Sequence, residues 1–435
     1  MIGTRNSIAA LVIALLAGGT GGAGAQTRVA GGVTLDEILA LARERSPRLR
    51  AATALADAAT ARQPAAGTWP DPVLQLGAMN FSVPDLRTDM PNSMVPALQL
   101  MQMVPFPGKL GLSGRIAERT SQMARADADE TWWELRGQTA MLFYEIYEAD
   151  HQIDVMRETL RLLQDFQQVA GAMYGAGEGR QSDVLRANVE VSRMDAEIRR
   201  MEAMREAAAA RLNGLLNRPA ETPVPAPVLG QLPLEYPSAD TLRAWADQAR
   251  PMLAQRRLGV ERAETQKALA RREIWPDFTI GIQYGQRPGT MGTERMASAM
   301  VGFSLPVFAS KRQYRMRDET EAMAQMARAE LAEMRAGVDA RILELLADLE
   351  RDRTLIRLYR TEVLPQADAN VESAFSSYRV GSVDFMTLVD ARMTANRYQQ
   401  ELYSLLADYG RAVADLEMTV GREIPRAGTV LSEVR

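Results

Sequence analysis

The chain has 435 residues, of which 46% are hydrophobic and 24% are charged, and its formal net charge is −4 at pH 7. This slightly acidic balance argues against a nucleic-acid-binding protein, which would present a basic face. The absence of cysteine excludes disulfides, thiol nucleophiles and a lipidated cysteine, and the single histidine argues against a zinc site.

Residues 1–25 have the pattern of a secretory signal peptide. Arg5 precedes an apolar stretch, and a glycine-rich segment then ends in Ala23-Gly24-Ala25, an A-x-A cleavage site. We therefore expect cleavage before Gln26 and export by the Sec route. No later run is long and apolar enough to cross a bilayer as a helix.

The rest of the chain repeats itself at an offset of 204 residues, so that Tyr174 and Gly177 recur as Tyr378 and Gly381. This period is too long for a solenoid unit, so each copy predicts a layered half of a pseudo-symmetric object. In chain order the segments are the first repeat, 26–218; a proline-rich connector, 219–237; the second repeat, 238–421; and a tail without a strong pattern, 422–435. We expect the connector to be extended and to lie on the outside.

Each repeat contains two segments in which apolar and small or polar residues alternate with period two, which predicts strands. The predicted strands span residues 73–81, 97–106, 278–285 and 297–305. In the third of them, Ile280 and Ile282 alternate with Thr279 and Gly281, whereas Gln102 interrupts the apolar set of the second. Strands of about ten residues suit an outer-membrane barrel, but a soluble sandwich shows the same alternation.

Long helical hairpins follow the strands, over about residues 110–216 and 311–420. No proline occurs between Pro107 and Pro219, and a continuous helix from Leu112 to Met173 would extend about 90 Å. Apolar seams on the return helices call for lateral neighbours. Four strands cannot close a barrel, and open edges are not tolerated in lipid, so three chains supplying twelve strands would be needed.

Several motifs carry a resemblance to a known family. They are Trp69-Pro70-Asp71-Pro72 and its copy Trp275-Pro276-Asp277, the tips Tyr174-x-x-Gly177 and Tyr378-x-x-Gly381, and the segment Val104–Lys109. On these residues the chain resembles the TolC-like outer-membrane efflux proteins over about residues 33–421. The segment Val104–Lys109 is similar to the heavy-metal branch of that family.

The resemblance implies a mainly α fold with a small β part. Its duplicated strand-strand-long-helix halves would build a homotrimeric 12-stranded outer-membrane β-barrel, surrounded by lipid and continued by a periplasmic α-helical barrel. It also implies a passive conduit for drugs or heavy-metal cations. The conduit would receive its substrate from a periplasmic adaptor and an inner-membrane transporter, which we expect to be of the RND type. No catalytic residue and no cofactor is implied.

By the same resemblance, the periplasmic entrance comprises Asp183, Thr387, Asp390 and Tyr378. Asp183 and Asp390 would line the pore, where a ring of carboxylates favours cations. Thr387 stands at a second ring position, and Val383 stands where relatives carry a latching arginine, so a gate here has fewer charges. The alternative for the two aspartates is that they face water near a helix turn.

The hairpin tips at Gly177 and Gly381 are expected to contact the adaptor. Glycine at both positions also fits a turn that requires a left-handed backbone, whether or not a partner binds there.

Methionine is abundant, with 24 in the chain, and five of them cluster around the first strand pair: Met79, Met90, Met94, Met101 and Met103. Thioethers would suit a route for copper or silver. The alternative is that methionine fills contacts between strands and loops.

Two other classes of protein remain open at this point. A periplasmic coiled-coil adaptor or scaffold would also have long helices, although adaptors carry one hairpin rather than two with duplicated strands. A secreted enzyme that uses carboxylates is disfavoured because no pair of Asp or Glu residues stands out at a cleft. We therefore expect no enzymatic activity.

Overall fold

The computed structural model describes residues 32–80, 83–85, 93–289, 291–425 and 430–431. The predicted signal peptide, the end of the first predicted strand, Met90 and part of the C-terminal tail lie outside the described residues. Residues Val33–Arg435 belong to one unit.

The described helices and strands of the two repeats occur in a similar order. They are α1 (Leu35–Arg45), α2 (Pro47–Ala66), β1 (Val73–Met79), β2 (Met94–Val104), α3 (Lys109–Gly175), α4 (Gln181–Leu215), β3 (Leu232–Pro233), α5 (Ala239–Ala249), α6 (Pro251–Arg272), β4 (Phe278–Gly289), β5 (Gly292–Phe303), α7 (Gln313–Leu358), a π-helical turn (Tyr359–Val363), α8 (Leu364–Arg379), α9 (Phe385–Val420) and β6 (Val430–Leu431).

Local sequence signals explain where several elements begin. The hydroxyl of Thr34 accepts from the backbone N–H of Glu37, whose carboxylate accepts from Thr34 in return, and this capping box opens α1. Pro47 stands at the first position of α2, where its missing N–H has no helical partner to lose. Pro105 follows the last residue of β2, because it cannot donate to a strand ladder.

The four long strands form one antiparallel sheet in the order β1-β2-β4-β5. The β2–β4 pairing joins the two repeats and runs from Ala97 opposite Gly285 to Val104 opposite Phe278. The protein is therefore mostly helical with a small antiparallel sheet, which confirms the coarse fold predicted from the sequence.

Strands β4 and β5 run farther toward their shared turn than the alternation predicted. Arg287 and Glu294 are paired in register there, and their side chains form an ion pair at 2.7 Å. The ladder continues through this polar stretch because a cross-strand charge pair replaces the apolar contacts.

The helices lie side by side, and their neighbours differ between the two ends of α3. Near the sheet α3 lies between α2 and α6, and α6 packs on α7. Toward the hairpin tips α3 lies between α4 and α9, and α9 packs on α8. Among the residues that the structure describes, no helix or strand forms a second layer over the sheet, and both faces of its strands are largely exposed.

The two repeats differ in their longest helix. Helix α3 runs unbroken for 67 residues, a length of about 100 Å. Its counterpart is divided by the π-helical turn, which the sequence analysis did not predict. Pro365 follows this turn and has no N–H to donate, so the regular hydrogen-bond ladder is interrupted there.

The connector packs more closely than the sequence suggested. Its apolar side chains Val224, Leu229 and Leu232 are buried in the main hydrophobic cluster instead of facing solvent. The Tyr409 hydroxyl donates to the carbonyl of Pro233 at 2.5 Å, and β3 pairs with β6 of the tail. The connector and the tail therefore both stabilise the part of the helices that forms the main hydrophobic cluster.

Candidate functional site

The two hairpin tips have the same backbone geometry. Gly177 and Gly381 adopt φ values of +80° and +70°, in the left-handed region. After each helix the glycine N–H donates three residues back, to Tyr174 and Tyr378, and the next N–H donates five residues back, which is a Schellman motif. Glycine is thus required by the turn itself, and the tips are exposed at the end of the rods.

Asp183 and Tyr378, both predicted at the entrance, come from different repeats and are brought together. Tyr378 is only 4% exposed, and its ring packs edge-on against Phe385 at 5.6 Å. Burial, together with the nearby charge of Asp183, raises the pKa of Tyr378. Tyr378 therefore contributes packing at the tip, and Asp183 stays partly exposed beside it.

Thr387 is engaged with a carboxylate that the sequence analysis missed. Asp384 is the N-cap of α9, and its Oδ1 accepts from the Thr387 backbone N–H at 2.9 Å and from the Thr387 hydroxyl at 2.7 Å. These hydrogen bonds lower the pKa of Asp384, with Arg186 and Arg180 of the first tip acting in the same direction. An Asp three residues before a Thr at a helix start was the available signal.

Asp390 lies farther along α9 and is exposed, without a hydrogen-bond or ion-pair partner among the described residues. Val383 is partly buried against the hydrophobic cluster at the tips. The exposed carboxylates of the second tip are therefore Asp384 and Asp390. An exposed position leaves both the pore-lining and the water-facing interpretation of Asp390 open.

A buried polar group between α3 and α9 was also missed. Arg392 is buried, and its Nη2 donates to the Thr159 hydroxyl at 3.1 Å, which in turn donates to Asn396 at 3.0 Å. Burial lowers the pKa of Arg392, against the opposing effect of nearby carboxylates. An arginine within the apolar seam of α9 was the only sequence signal.

The motifs that carry the family resemblance meet where the sheet joins the helices. Lys109 is buried, and its Nζ lies 2.9 Å from Asp277 and 3.1 Å from Glu273. Asp277 also accepts from the Phe106 backbone N–H at 2.7 Å, and the Phe106 ring stacks on Trp275 at 5.4 Å. These residues hold the ends of β2 and β4 on the starts of the rods.

The two faces of the sheet differ sharply in chemistry. Alternate side chains point to opposite faces, and the register places the large aliphatic residues together on one of them. This apolar face carries Leu74, Leu76, Leu98, Leu100, Ile280, Ile282, Val301 and Phe303. Leu76 is 72% exposed and Val301 71%, so no part of the described chain covers this face.

The opposite face carries Gln75, Gln99, Thr279, Gln283 and Ser298, together with Val73, Ala97, glycine and methionine. Gln102 lies on the apolar side, but its Nε2 donates to the carbonyls of Pro70 and Met103, which pairs the N–H groups of its amide. The sheet is therefore apolar on one side and polar on the other.

The lateral edges of the protein are open. Within the described residues no strand pairs with the outer edge of β1 or of β5. Near the sheet the helices follow each other in the order α2-α3-α6-α7, and toward the tips in the order α4-α3-α9-α8. Helices α2 and α4 therefore form one lateral edge, and α7 and α8 form the other. Each level of the molecule thus has one edge from the first repeat and one from the second.

The sequence pattern of one family matches both repeats of this chain. The family described as outer membrane efflux protein matches residues 38–218 and 243–422. The chain belongs to the outer membrane efflux protein family. Among curated proteins, none matches the sequence.

Solved structures of outer-membrane channels share the fold of this efflux protein. The outer membrane protein VceC from Vibrio cholerae is 16% identical, with a TM-score of 0.76 over 89% of this chain and 96% of VceC. The CmeC outer membrane channel of Campylobacter jejuni is 13% identical, with a TM-score of 0.77 over 91% and 87%. CusC is 14% identical, with a TM-score of 0.77 over 89% and 92%.

Two further observations concern the described part of this efflux protein. No group of three or more His, Cys, Asp or Glu side chains is arranged to hold a metal ion there. Among the same residues, no helix combines the length and the apolar character needed to cross a bilayer.

Proposed function

We propose that the chain is the outer-membrane duct of a tripartite efflux pump. Three copies would join edge to edge, β5 of one copy to β1 of the next, to close a 12-stranded barrel. The helical edges, α7 and α8 against α2 and α4 of the next copy, would continue it as a periplasmic tube. The duct would conduct drugs or heavy-metal cations passively.

The observation that carries this proposal is the sheet, with one uncovered apolar face and two unpaired edges. In water each exposed Leu, Ile or Val of that face forgoes part of the about 1.5–3 kcal/mol that full burial of the side chain would contribute. In lipid the same face is solvated, but unpaired edge amides are costly, so the sheet must close on itself. Closure with identical copies satisfies both requirements at once.

The length of the helices supports the same assembly. Rods of about 100 Å that carry lateral edges are suited to a tube that crosses much of a periplasm. The exposed tips at Gly177 and Gly381 would contact a periplasmic adaptor, which joins an inner-membrane transporter of the RND type. Asp183, Thr387, Asp390 and Tyr378 would lie at the entrance, where exposed carboxylates favour cations.

The resemblance of residues 1–25 to a signal peptide supports Sec export to the outer membrane, without a lipid anchor on cysteine. A periplasmic adaptor or scaffold, the alternative from the sequence, would leave the apolar face of the sheet in water. The family match and the shared fold of outer-membrane channels both favour the duct.

The test is to purify the full chain from isolated outer membranes in detergent. Light scattering should give the mass of three copies, and the trimer should conduct ions in planar bilayers. A protein that leaves the cell envelope without detergent, as a monomer that conducts nothing, would refute the proposal.

A further inference from the structure

Methionine is concentrated on the polar face of the sheet. The register places six of the 24 methionines of the chain on this face: Met79, Met94, Met101, Met103, Met296 and Met300. Met296 and Met300 belong to the second repeat and were not part of the cluster recognised in the sequence. The two repeats therefore contribute thioethers to the same surface.

Two of these methionines lie on either side of one glycine. Met101 and Met300 stand directly opposite Gly281 on its two sides, in β2 and β5. Strands lie about 4.8 Å apart, so their Cα atoms are about 9.6 Å apart across β4. The Cγ of Met101 and the Cε of Met300 each lie 3.5 Å from the point that a Gly281 Cβ would occupy. Both side chains therefore lie over the glycine, which leaves room for them.

Met103 follows Met101 at a spacing of two residues and so points to the same face, next to Thr279. Met103 is 49% exposed and Met300 is 40% exposed. A methionine that fills a core gap is buried by its neighbours, whereas Met103 and Met300 remain open to solvent. Simple packing therefore does not account for their position.

The side chains in the row beside these methionines are uncharged and bind metal ions only weakly. The next row of the same face consists of Gln75, Gln99, Gln283 and Ser298. Two ion pairs border this face, Asp277 with Lys109 at 2.9 Å just before β4 and Arg287 with Glu294 at 2.7 Å toward the β4–β5 turn, and each carboxylate is already paired with a cation. A hard cation finds no carboxylate cage here, but a soft monovalent cation is well served by thioethers.

We infer that Met101, Met103 and Met300 form a thioether site for a soft monovalent cation, Cu⁺ or Ag⁺, over Gly281. Binding of the ion requires only this face of one chain. Its role, a contact point for heavy-metal ions inside the duct, rests on the proposed function, under which the polar face lines the pore.

The experiment uses the full-length protein in detergent, with silver nitrate in chloride-free buffer as the probe. Ag⁺ affinity is measured by calorimetry, and silver X-ray absorption reports how many sulfur atoms surround the ion. The test variant is M101L/M300L, because leucine conserves the volume of methionine. The matched control is M204L, at an exposed methionine of α4 away from the sheet.

The double variant should weaken Ag⁺ binding by more than about tenfold, the lower end of the loss seen even for outer-shell partners of a metal ligand. The sulfur signal should fall with it, and M204L should bind as the parent does. A third variant, G281V, keeps every methionine but fills the space between Met101 and Met300, and it should weaken binding as well.

Equal Ag⁺ affinity in the parent, M101L/M300L and G281V would overturn the site. Conductance of the same proteins in planar bilayers separates the two proposals. Normal conductance with lost Ag⁺ binding supports both of them. Specific Ag⁺ binding by a protein that conducts nothing would leave the site in place and refute the duct.

Discussion

The two faces of β4 give opposite predictions for neighbouring residues. Replacing Ile282 by arginine places a charge on the apolar face, where Ile282 is 58% exposed. Replacing Gln283 by arginine places the same charge one residue away, on the polar face. If the sheet closes into a barrel in lipid, Ile282→Arg should prevent stable assembly and Gln283→Arg should be tolerated.

The position of Ile282 in the strand sets the magnitude. It follows Phe278, the first residue of β4, by four positions, which is about 13 Å along the strand. A strand tilted by about 40° rises about 10 Å over that length, close to the middle of an apolar band about 25 Å tall. Arginine at the midplane costs about 2–4 kcal/mol, and three copies cost about 6–12 kcal/mol per trimer.

The assay compares the two variants with the parent protein in outer-membrane fractions. Trimers that survive mild detergent are quantified on gels, and their dissociation temperature is measured. Ile282→Arg should yield little trimer, and what forms should dissociate at a lower temperature, whereas Gln283→Arg should match the parent. Equal yield and equal dissociation temperature for both variants would show that the apolar face does not meet lipid, and the reasoning would be refuted.

Three further predictions concern the rods and their tips. The channel should conduct cations in preference to anions, and Asp390→Asn should weaken the block by trivalent cations added at the periplasmic side. Preference for anions, or an unchanged block in the variant, would show that Asp390 does not line the pore. Arg136→Met removes one partner of a buried ion pair and should cost about 3 kcal/mol of stability, which would lower the unfolding temperature. The control Arg193→Met, in an exposed ion pair, should change the unfolding temperature little. Equal changes in the two variants would contradict this prediction. Because its folded pKa is lowered, Asp384 contributes to the tip above its unfolded pKa and loses this effect only as the pH falls through the lower folded value. Amide exchange at Thr387 should therefore be constant from pH 7 to pH 5 after correction for its chemical rate, and faster in Asp384→Ala; a pH-dependent opening in that range would contradict this.

The pair that Arg136 forms explains the size of the second of these effects. Its side chain is 9% exposed and that of Glu417 is 5% exposed, and Nη2 lies 2.7 Å from the carboxylate. After the substitution Glu417 keeps one donor, the Ile424 backbone N–H at 3.1 Å. A buried carboxylate with a single neutral donor is much less stable than one with a cationic partner.

The sequence by itself determined the features that obey local rules. Period-two alternation located the strands, proline-free stretches located the rods, and glycines in the two copies of the tip motif marked turns that need a left-handed backbone. The repeat and the Trp-Pro-Asp motifs indicated the family. Apart from the repeat, which compares segments 204 residues apart, each of these signals lies within one continuous segment of the chain, so that segment alone is enough to predict the element.

Only the tertiary structure decided which distant segments meet. It paired β2 with β4, placed Met300 across Gly281 from Met101, set Asp183 beside Tyr378 and buried Arg392 between α3 and α9. It also buried the apolar residues of the connector, which their polar, proline-rich surroundings concealed. Register and packing between segments some 200 residues apart depend on the free energy of the whole assembly of strands and helices, and no local pattern encodes that.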